Sequence, residues 1–190
     1  MSLDSMPYNL FTDQYKKKKE KYEDASSALL KLYTKKVSAE FADMMKEEGL
    51  CTYMDGLFTT VDPVLYEGVL KDYKVHSDKS IVLMKNAFGD LFYFDGFDCR
   101  ILYTSHNENY SFTGGDAVKY FFTFQMTEAS FLTENFKKKL FGQALKKFGK
   151  LKPDETYGFV PAIPLGGEEK LDNIEKVKTL EYLSILSQSF

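Results

Sequence analysis

The amino-acid sequence predicts an α+β fold, in which N-terminal helices and an antiparallel β-meander are followed by a mainly helical C-terminal lobe with a short strand. Three strand-like segments separated by turn residues occupy residues 81–103. Amphipathic helical patterns lie on both sides of them. The character of the chain changes at Gly114–Gly115, so we expect two lobes that join near residue 110.

The N-terminal part of the chain favours helices. Residues 8–35 predict a largely helical segment, although the apolar spacing is irregular. Its expected core contacts are Tyr15, Tyr22, Leu29, Leu30 and Leu32. Ser38 is the expected N-cap of a second helix, and Gly49 its stop. The apolar positions of this second helix, spaced i, i+3, i+4, are Phe41, Met44 and Met45.

A short strand and a third helix come next. Leu57–Val61 predicts the strand. Asp62–Pro63 opens a helix with proline in its first turn, which we expect to run to about Tyr73. The side chains that it is expected to bury are Leu65, Val69 and Leu70.

The meander is predicted from three consecutive strands. Ile81–Lys85 is apolar on both faces, as a central strand would be, and Leu91–Phe94 and Cys99–Tyr103 follow it. The turns are expected at Asn86–Gly89, at the hairpin signal Asp95–Gly96, and over the Asn- and Ser-rich residues 104–111.

The C-terminal lobe is predicted to be mainly helical. Asp116–Gln125 favours a helix, and Thr133 is expected to cap a longer one that ends at Gly149. Its amphipathic stripe consists of Phe136, Leu140, Phe141, Ala144, Leu145 and Phe148. Tyr157–Ile163 predicts a strand, and Thr179–Ser187 a last helix. The side chains that this last helix is expected to bury are Leu180, Leu183 and Leu186.

Composition excludes several classes of protein. Two cysteines cannot form a disulfide scaffold, and no stretch approaches the roughly 18 apolar residues of a membrane span. Residues 40–109 carry 6 basic and 13 acidic groups, a net charge of −7, against −3 for the whole chain. This block would repel nucleic acid and attract a basic partner. Because Arg100 is the only arginine, direct binding of DNA or RNA is not expected.

No catalytic, metal or cofactor site is predicted from residue spacing. The four sulfur and imidazole side chains stand too far apart for zinc-ligand pairs or a local Cys–His signature. They are Cys51, Cys99, His76 and His106. Gly114–Gly115 and Gly166–Gly167 match no phosphate-binding loop. The basic run Lys16–Lys19 fits a solvated helix face or a frayed terminus, with a binding role as the alternative.

Four aspartates around the meander are the candidate site residues. Asp90, Asp95 and Asp98 bracket the central hairpin, and Asp55 lies in a preceding turn. Aspartate is favoured in turns because its side chain bonds to nearby backbone amides. Clustered carboxylates also form acidic recognition surfaces, bind divalent cations or perform acid–base chemistry. These three explanations remain open at this point.

Several blocks together resemble a known family. In the first half they are Asp55-Gly56-Leu57-Phe58 with Val61 and Pro63, and Ala87-Phe88-Gly89-Asp90-Leu91-Phe92. In the second half they are Leu140-Phe141, Ala144-Leu145, Gly149, Leu151, Pro153-Asp154-Glu155, Tyr157-Gly158-Phe159-Val160-Pro161-Ala162, Leu165-Gly166-Gly167, Asn173, Lys176-Val177 and Tyr182-Leu183-Ser184-Ile185-Leu186. The chain resembles the bacterial GAD-like immunity proteins, in which a GAD-like domain precedes a C-terminal domain of the type VI secretion immunity family. A relation to the SUKH-type immunity folds is a further expectation.

The resemblance implies an organisation and a function. It implies a GAD-like domain over residues 11–110 and the immunity domain over residues 111–190. Residues 1–10 are expected to be a leader or disordered segment, because Met1 to Met6 is typical of an expression leader. It also implies a cytoplasmic antitoxin without catalytic residues that binds a cognate secreted effector, in some relatives a DNase. We expect a monomer or weak dimer with neither a nucleic-acid nor a membrane partner.

The acidic block gives a physical argument for where such an effector would bind. A nuclease must be basic where it holds phosphates, so an acidic surface is a natural competitor. We therefore expect the effector-facing surface within residues 40–109, with Asp55, Asp90, Asp95 and Asp98 as the partner-binding residues. One alternative is an interaction domain of the same fold without a toxin partner. Another is an enzyme or metal-dependent regulator built on these aspartates.

Overall fold

The computed structural model describes residues 8–75, 78–112 and 117–190. An antiparallel sheet of seven strands, each paired with the next along the chain, forms its centre. These strands are β1 (Lys19–Glu23), β2 (Leu50–Tyr53), β3 (Phe58–Thr60), β4 (Ile81–Asn86), β5 (Leu91–Phe94), β6 (Cys99–Tyr103) and β7 (Glu108–Phe112). A separate two-stranded sheet consists of β8 (Glu155–Phe159) and β9 (Ile174–Lys178).

Eight α-helices of the described residues surround these sheets. They are α1 (Asn9–Tyr15), α2 (Ser27–Lys36), α3 (Ala39–Glu48), α4 (Glu67–Asp72), α5 (Ala117–Thr123), α6 (Ala129–Asn135), α7 (Lys138–Phe148) and α8 (Thr179–Ser187). The architecture is the predicted α+β one. Over the part of the chain that the structure describes, no helix is both long and apolar enough to cross a bilayer.

Several helix ends lie where their capping residues predict. The Ser38 hydroxyl accepts a hydrogen bond from the Phe41 amide at 3.1 Å, which satisfies one of the free amides in the first turn of α3. Gly49 ends α3 with a φ of 71°, a conformation that glycine adopts without steric cost. The Asp62 carboxylate accepts from the Val64 amide at 3.0 Å and starts the 3₁₀ turn Pro63–Tyr66, which leads into α4.

Both halves of the chain pack on the same seven-stranded sheet. The larger apolar cluster combines α1, α2 and α3 with α5, α6 and α7, and includes Tyr33, Phe58, Phe92 and Phe136. A smaller cluster joins α4 and α8 to the strand residues Val82, Leu91, Tyr93 and Leu102. The C-terminal half therefore shares its core with the sheet of the N-terminal half.

The two edge strands differ from the sequence prediction. Residues 19–23 form β1 rather than the middle of a helix, and residues 108–112 form β7 rather than part of a turn. Both strands are polar, since edge strands expose much of their surface, and they lack the apolar alternation that marks a half-buried strand. β2, the partner of β1, was not predicted either.

The long C-terminal helix predicted from Thr133 to Gly149 is two helices. α6 already contains Thr133, and Lys137 adopts a left-handed φ of 45° before α7 begins. The break lets Phe136 turn fully into the core between the two helices. Within the predicted stripe, Phe136, Phe141 and Ala144 are buried, whereas Leu140, Leu145 and Phe148 are half-buried.

Three smaller expectations are also corrected. Leu65 is 60% exposed, because the first turn after Pro63 is a 3₁₀ turn that directs it outwards, whereas Val69 and Leu70 are buried as expected. The strand predicted over Tyr157–Ile163 ends at Phe159, before the cis Val160–Pro161 peptide bond. β9 was not predicted, because four of its five residues are exposed or half-buried. The expected leader, Gly114–Gly115 and His76 lie wholly or partly outside the described residues.

Candidate partner-binding site

The structure does not bring the four candidate aspartates together. In the meander, Phe58 pairs with Asn86 at one end of the sheet, and Ile81 pairs with Phe94 at the other. Asp55 comes just before β3 and Asp90 just before β5, so both lie near the first of these ends. Asp95 and Asp98 form the turn at the second end. The four carboxylates therefore lie at two opposite ends of the meander and do not form one site.

Asp90 is a buried residue that organises the turn between β4 and β5. Its side chain accepts hydrogen bonds from the Asn86 amide group at 2.7 Å and from the Thr104 backbone N–H at 3.1 Å. The residue is only 3% exposed. Burial raises its pKa, and the nearby Lys137 charge and these hydrogen bonds oppose the shift. Its contacts therefore join the β4–β5 turn to the segment after β6 within the fold.

Asp95 and Asp98 build the tip of the β5–β6 hairpin. The Asp95 carboxylate accepts from the backbone amides of Phe97 and Asp98 at 2.9 and 2.8 Å and pairs with Arg100. Partial burial opposes ionisation of Asp95, but these hydrogen bonds hold its pKa below the usual range. Asp98 accepts from the Ser111 hydroxyl at 2.6 Å. The turn presents Phe97, which is 83% exposed, to solvent.

Asp55 is the most accessible of the four. Its side chain is 42% exposed and lies 3.5 Å from the Lys18 ammonium. A second lysine of the same basic run, Lys19, pairs with Glu48 of α3. Because β1 pairs with β2, the basic run lies against the acidic block of the chain. Part of the net charge of −7 counted along residues 40–109 is therefore compensated in space.

A cleft lies where the two halves of the chain meet, and we call it the junction cleft. Its volume is about 350 Å³, and its walls come from β1, the start of β2, the region between β3 and α4, the residues just before β8, and the junction of β9 with α8. The lining residues are Tyr22, Glu23, Leu50, Val61, Asp62, Leu65, Tyr66, Pro153, Asp154, Lys178, Thr179, Leu180 and Glu181. Its walls are mainly apolar, and four carboxylates surround them.

The charge of the junction cleft is unbalanced. Lys178 is the one cation among the described residues that line it, and its ammonium pairs with Asp154. The Lys178 ammonium accordingly lowers the pKa of Asp154, which stays ionised at neutral pH. Glu23, Asp62 and Glu181 contribute three further carboxylates. The cleft thus combines an apolar surface with a net negative charge, which suits a basic side chain with an apolar stem.

Lys85 is a buried cation near the cleft. It is 1% exposed, and its ammonium donates to the Glu155 carbonyl oxygen at 2.7 Å, joining β4 to β8. Burial lowers the pKa of Lys85 from 10.5 to about 8, and the charges of Asp154 and Glu155 oppose the shift.

The free energy of unfolding is expected to rise with pH because of Lys85. Between pH 8 and 10.5 the unfolded chain holds the Lys85 proton while the folded chain has released it, so raising the pH favours the folded state. From pH 7 to pH 9.5 Lys85 alone contributes a gain of about 2 kcal/mol, measured by urea unfolding as the change in the difference between the wild type and Lys85→Met. The raised pKa values of the Cys51 thiol and of buried tyrosines such as Tyr157, at about 12, lower the stability of both proteins above about pH 8, so only this difference isolates Lys85. In Lys85→Met the gain should disappear, and an equal slope in both proteins would contradict this role.

Among the described residues, the surroundings of Cys51, Cys99 and His106 do not suggest a catalytic or metal-binding role. Cys51 and Cys99 are both buried and belong to no disulfide bond among the described residues, and burial raises the pKa of the Cys51 thiol, which keeps it protonated at neutral pH. The His106 ring lies 4.0 Å from Glu169 on the opposite side of an open depression. Within residues 8–75, 78–112 and 117–190, no three His, Cys, Asp or Glu side chains are grouped so that they could hold a metal ion.

Sequence reasoning missed the junction cleft and Phe97. The cleft residues come from five distant segments, and no spacing along the chain relates them. Phe97 carried a signal, since it stands in a hairpin turn where a large apolar side chain has no core to enter.

Comparison with known proteins gives two family matches that account for nearly the whole chain. Residues 7–105 match the GAD-like domain, and residues 116–189 match the C-terminal domain of the T6SS (type VI secretion system) immunity protein Tdi1. No curated protein matches the sequence. The fold is similar to the crystal structure of Atu4351 from Agrobacterium tumefaciens, with a TM-score of 0.81 and 16% identity over 96% of this chain and 89% of that chain. Identity this low shows a shared fold alone.

Proposed function

This chain belongs to the GAD-like domain family and ends in a type VI secretion immunity domain, and from that premise we propose that it is an antitoxin that binds and neutralises a cognate effector. The match of residues 116–189 to an immunity domain is the observation that carries the proposal. We propose that the complex forms in the cytoplasm and that the effector is a nuclease.

The surfaces of the molecule support inhibition by binding. Phe97 is an exposed aromatic side chain held by a rigid turn, the kind of residue that anchors protein interfaces. Asp55 and the junction cleft add negative charge. A basic nuclease would associate faster with such surfaces, and added salt would slow the association.

Co-expression with the product of the neighbouring gene tests this function. We expect that product alone to stop cell growth and degrade DNA, and growth to recover when the antitoxin is present. The pair should elute from a sizing column as one complex without nuclease activity. A harmless neighbour that forms no complex would instead support an interaction domain without a toxin partner.

Charge reversal tests where the effector binds. Asp55→Lys should reduce the association rate severalfold at low salt and little at high salt, because the charge acts before contact. Asp43→Lys on α3, an equal charge change on another exposed residue, is the matched control. If both variants change the rate equally, the effect comes from net charge and Asp55 has no place in the interface.

A further inference from the structure

We propose that the junction cleft is the docking site for a lysine or arginine side chain that a protein partner inserts between the two halves of the chain. This inference rests on the proposed function for the identity of the partner, an effector. The chemistry of the cleft does not depend on the proposed function and can be tested without the effector.

The size and lining of the cleft fit a side chain. At about 350 Å³ it lies at the small end of ligand clefts, which range over roughly 300–1,000 Å³. Tyr22, Val61 and Leu180 provide an apolar lining against which the methylene groups of a long basic side chain can pack.

The charges of the cleft favour a ligand with a positive charge. Asp154 is already paired with Lys178, whereas Asp62 and Glu181 pair with no cation of the described residues within 4.0 Å. A guanidinium or ammonium group between them would be attracted by both carboxylates. An anionic or neutral side chain would gain no such attraction.

Thr179 provides independent evidence that a ligand is missing from the cleft. It lines the cleft and is 1% exposed, and its hydroxyl has no hydrogen-bond partner among the described residues. A buried hydroxyl without a partner is unfavourable, and proteins rarely keep one without a use. A guanidinium or ammonium N–H that enters between the side chains covering this hydroxyl would provide the missing partner.

The surroundings point to a protein as the source of this side chain. Val64 and Leu65 are 56% and 60% exposed beside the cleft, and Leu65 forms part of its wall. A free amino acid or a small cation would leave these two side chains uncovered. A peptide backbone that carries apolar neighbours of the basic residue would cover them.

Titration with short peptides tests the cleft without the effector. Isotope-labelled protein is titrated with acetyl-Leu-Arg-Leu-amide, and the backbone NMR signals are followed. We expect millimolar binding that shifts the signals of Asp62, Thr179 and Leu180. Binding of acetyl-Leu-Glu-Leu-amide should be at least tenfold weaker. If the arginine peptide shifts no cleft signal at 10 mM, the inference is overturned.

Two variants separate binding from folding. The double variant Asp62→Asn, Glu181→Gln should weaken peptide binding about fivefold to tenfold, whereas Asp43→Asn on α3 should leave it unchanged. Thr179→Val should weaken binding about fivefold while the unfolding temperature stays equal or rises, because it removes an unpartnered hydroxyl. A Thr179→Val protein that binds the peptide as tightly as the wild type would contradict the proposed contact.

Release of the effector from its complex provides a second test, and its failure has a different meaning from failure of the peptide titration. The double variant should release the effector severalfold faster than the wild type. If the arginine peptide binds in the cleft but no neighbouring gene product forms a complex, the proposed function fails and the cleft stands. If the complex forms and the double variant leaves its release rate unchanged, effector docking in the cleft is refuted and the function stands.

Discussion

Replacing Asp90 with alanine is expected to lower the free energy of unfolding by about 3–4 kcal/mol. The carboxylate accepts from the Asn86 side-chain amide and from the Thr104 backbone N–H. Alanine would leave both donors buried without an acceptor, and each such group costs roughly 1–3 kcal/mol. Urea unfolding followed by circular dichroism measures the change.

The isosteric variant provides the control for this prediction. Asp90→Asn keeps one acceptor oxygen and the volume of the side chain, so we expect a loss of only about 1–2 kcal/mol. An Asp90→Ala protein within 1 kcal/mol of the wild type would show that the buried network contributes little. A large loss would mean that any effect of Asp90 variants on a partner arises through unfolding. Binding studies should therefore use Asp55, whose side chain is 42% exposed.

The central strands could be predicted because each combines apolar residues with strong turn signals. Ile81–Asn86 is buried along its whole length, and the Asp95–Gly96 turn fixes the next hairpin. The edge strands β1 and β7 carry no such pattern, because one of their sides has no neighbouring strand and their side chains are largely exposed. Their positions follow from pairing with β2 and β6, which only the folded chain reveals.

The helices of the C-terminal half show a second limit of prediction from sequence. Periodicity identified the apolar stripe around Phe141 and Ala144, but it could not place the break at Lys137. The position of that break depends on the packing of Phe136 against β3 and β5 of the other half of the chain. Local propensity is overridden here by packing between residues that are more than 40 positions apart in sequence.

Turn chemistry was one of the explanations considered for Asp90, Asp95 and Asp98, and the bonds of the Asp95 carboxylate to the Phe97 and Asp98 amides agree with it. The carboxylates of Asp90 and Asp98 also bond to residues of more distant segments, Thr104 and Ser111. Whether any of the four aspartates contacts a partner stays a prediction. The junction cleft could not be found from sequence, because β1 and α8 meet only after both halves have packed on the sheet.

Replacing Phe136 with alanine is expected to lower the free energy of unfolding by about 3–5 kcal/mol. The ring is fully buried and lies 5.1 Å from the ring of Phe58 and 5.4 Å from that of Phe92. Alanine would remove this packing and leave a cavity between α6, α7 and the sheet, which relaxes only in part. Because Phe136 belongs to the C-terminal half and its partners to the N-terminal half, both halves should lose stability together.

Hydrogen exchange distinguishes this shared core from two separately stable halves. In Phe136→Ala, the amides of β5 and of α7 should lose protection to the same extent, since one cooperative unit opens. Ile185→Ala on α8, where the side chain is 65% exposed, is the control and should change stability by less than about 1 kcal/mol. If α7 lost its protection while β5 kept that of the wild type, the halves would unfold independently. The junction cleft would then be a boundary between domains rather than part of one core.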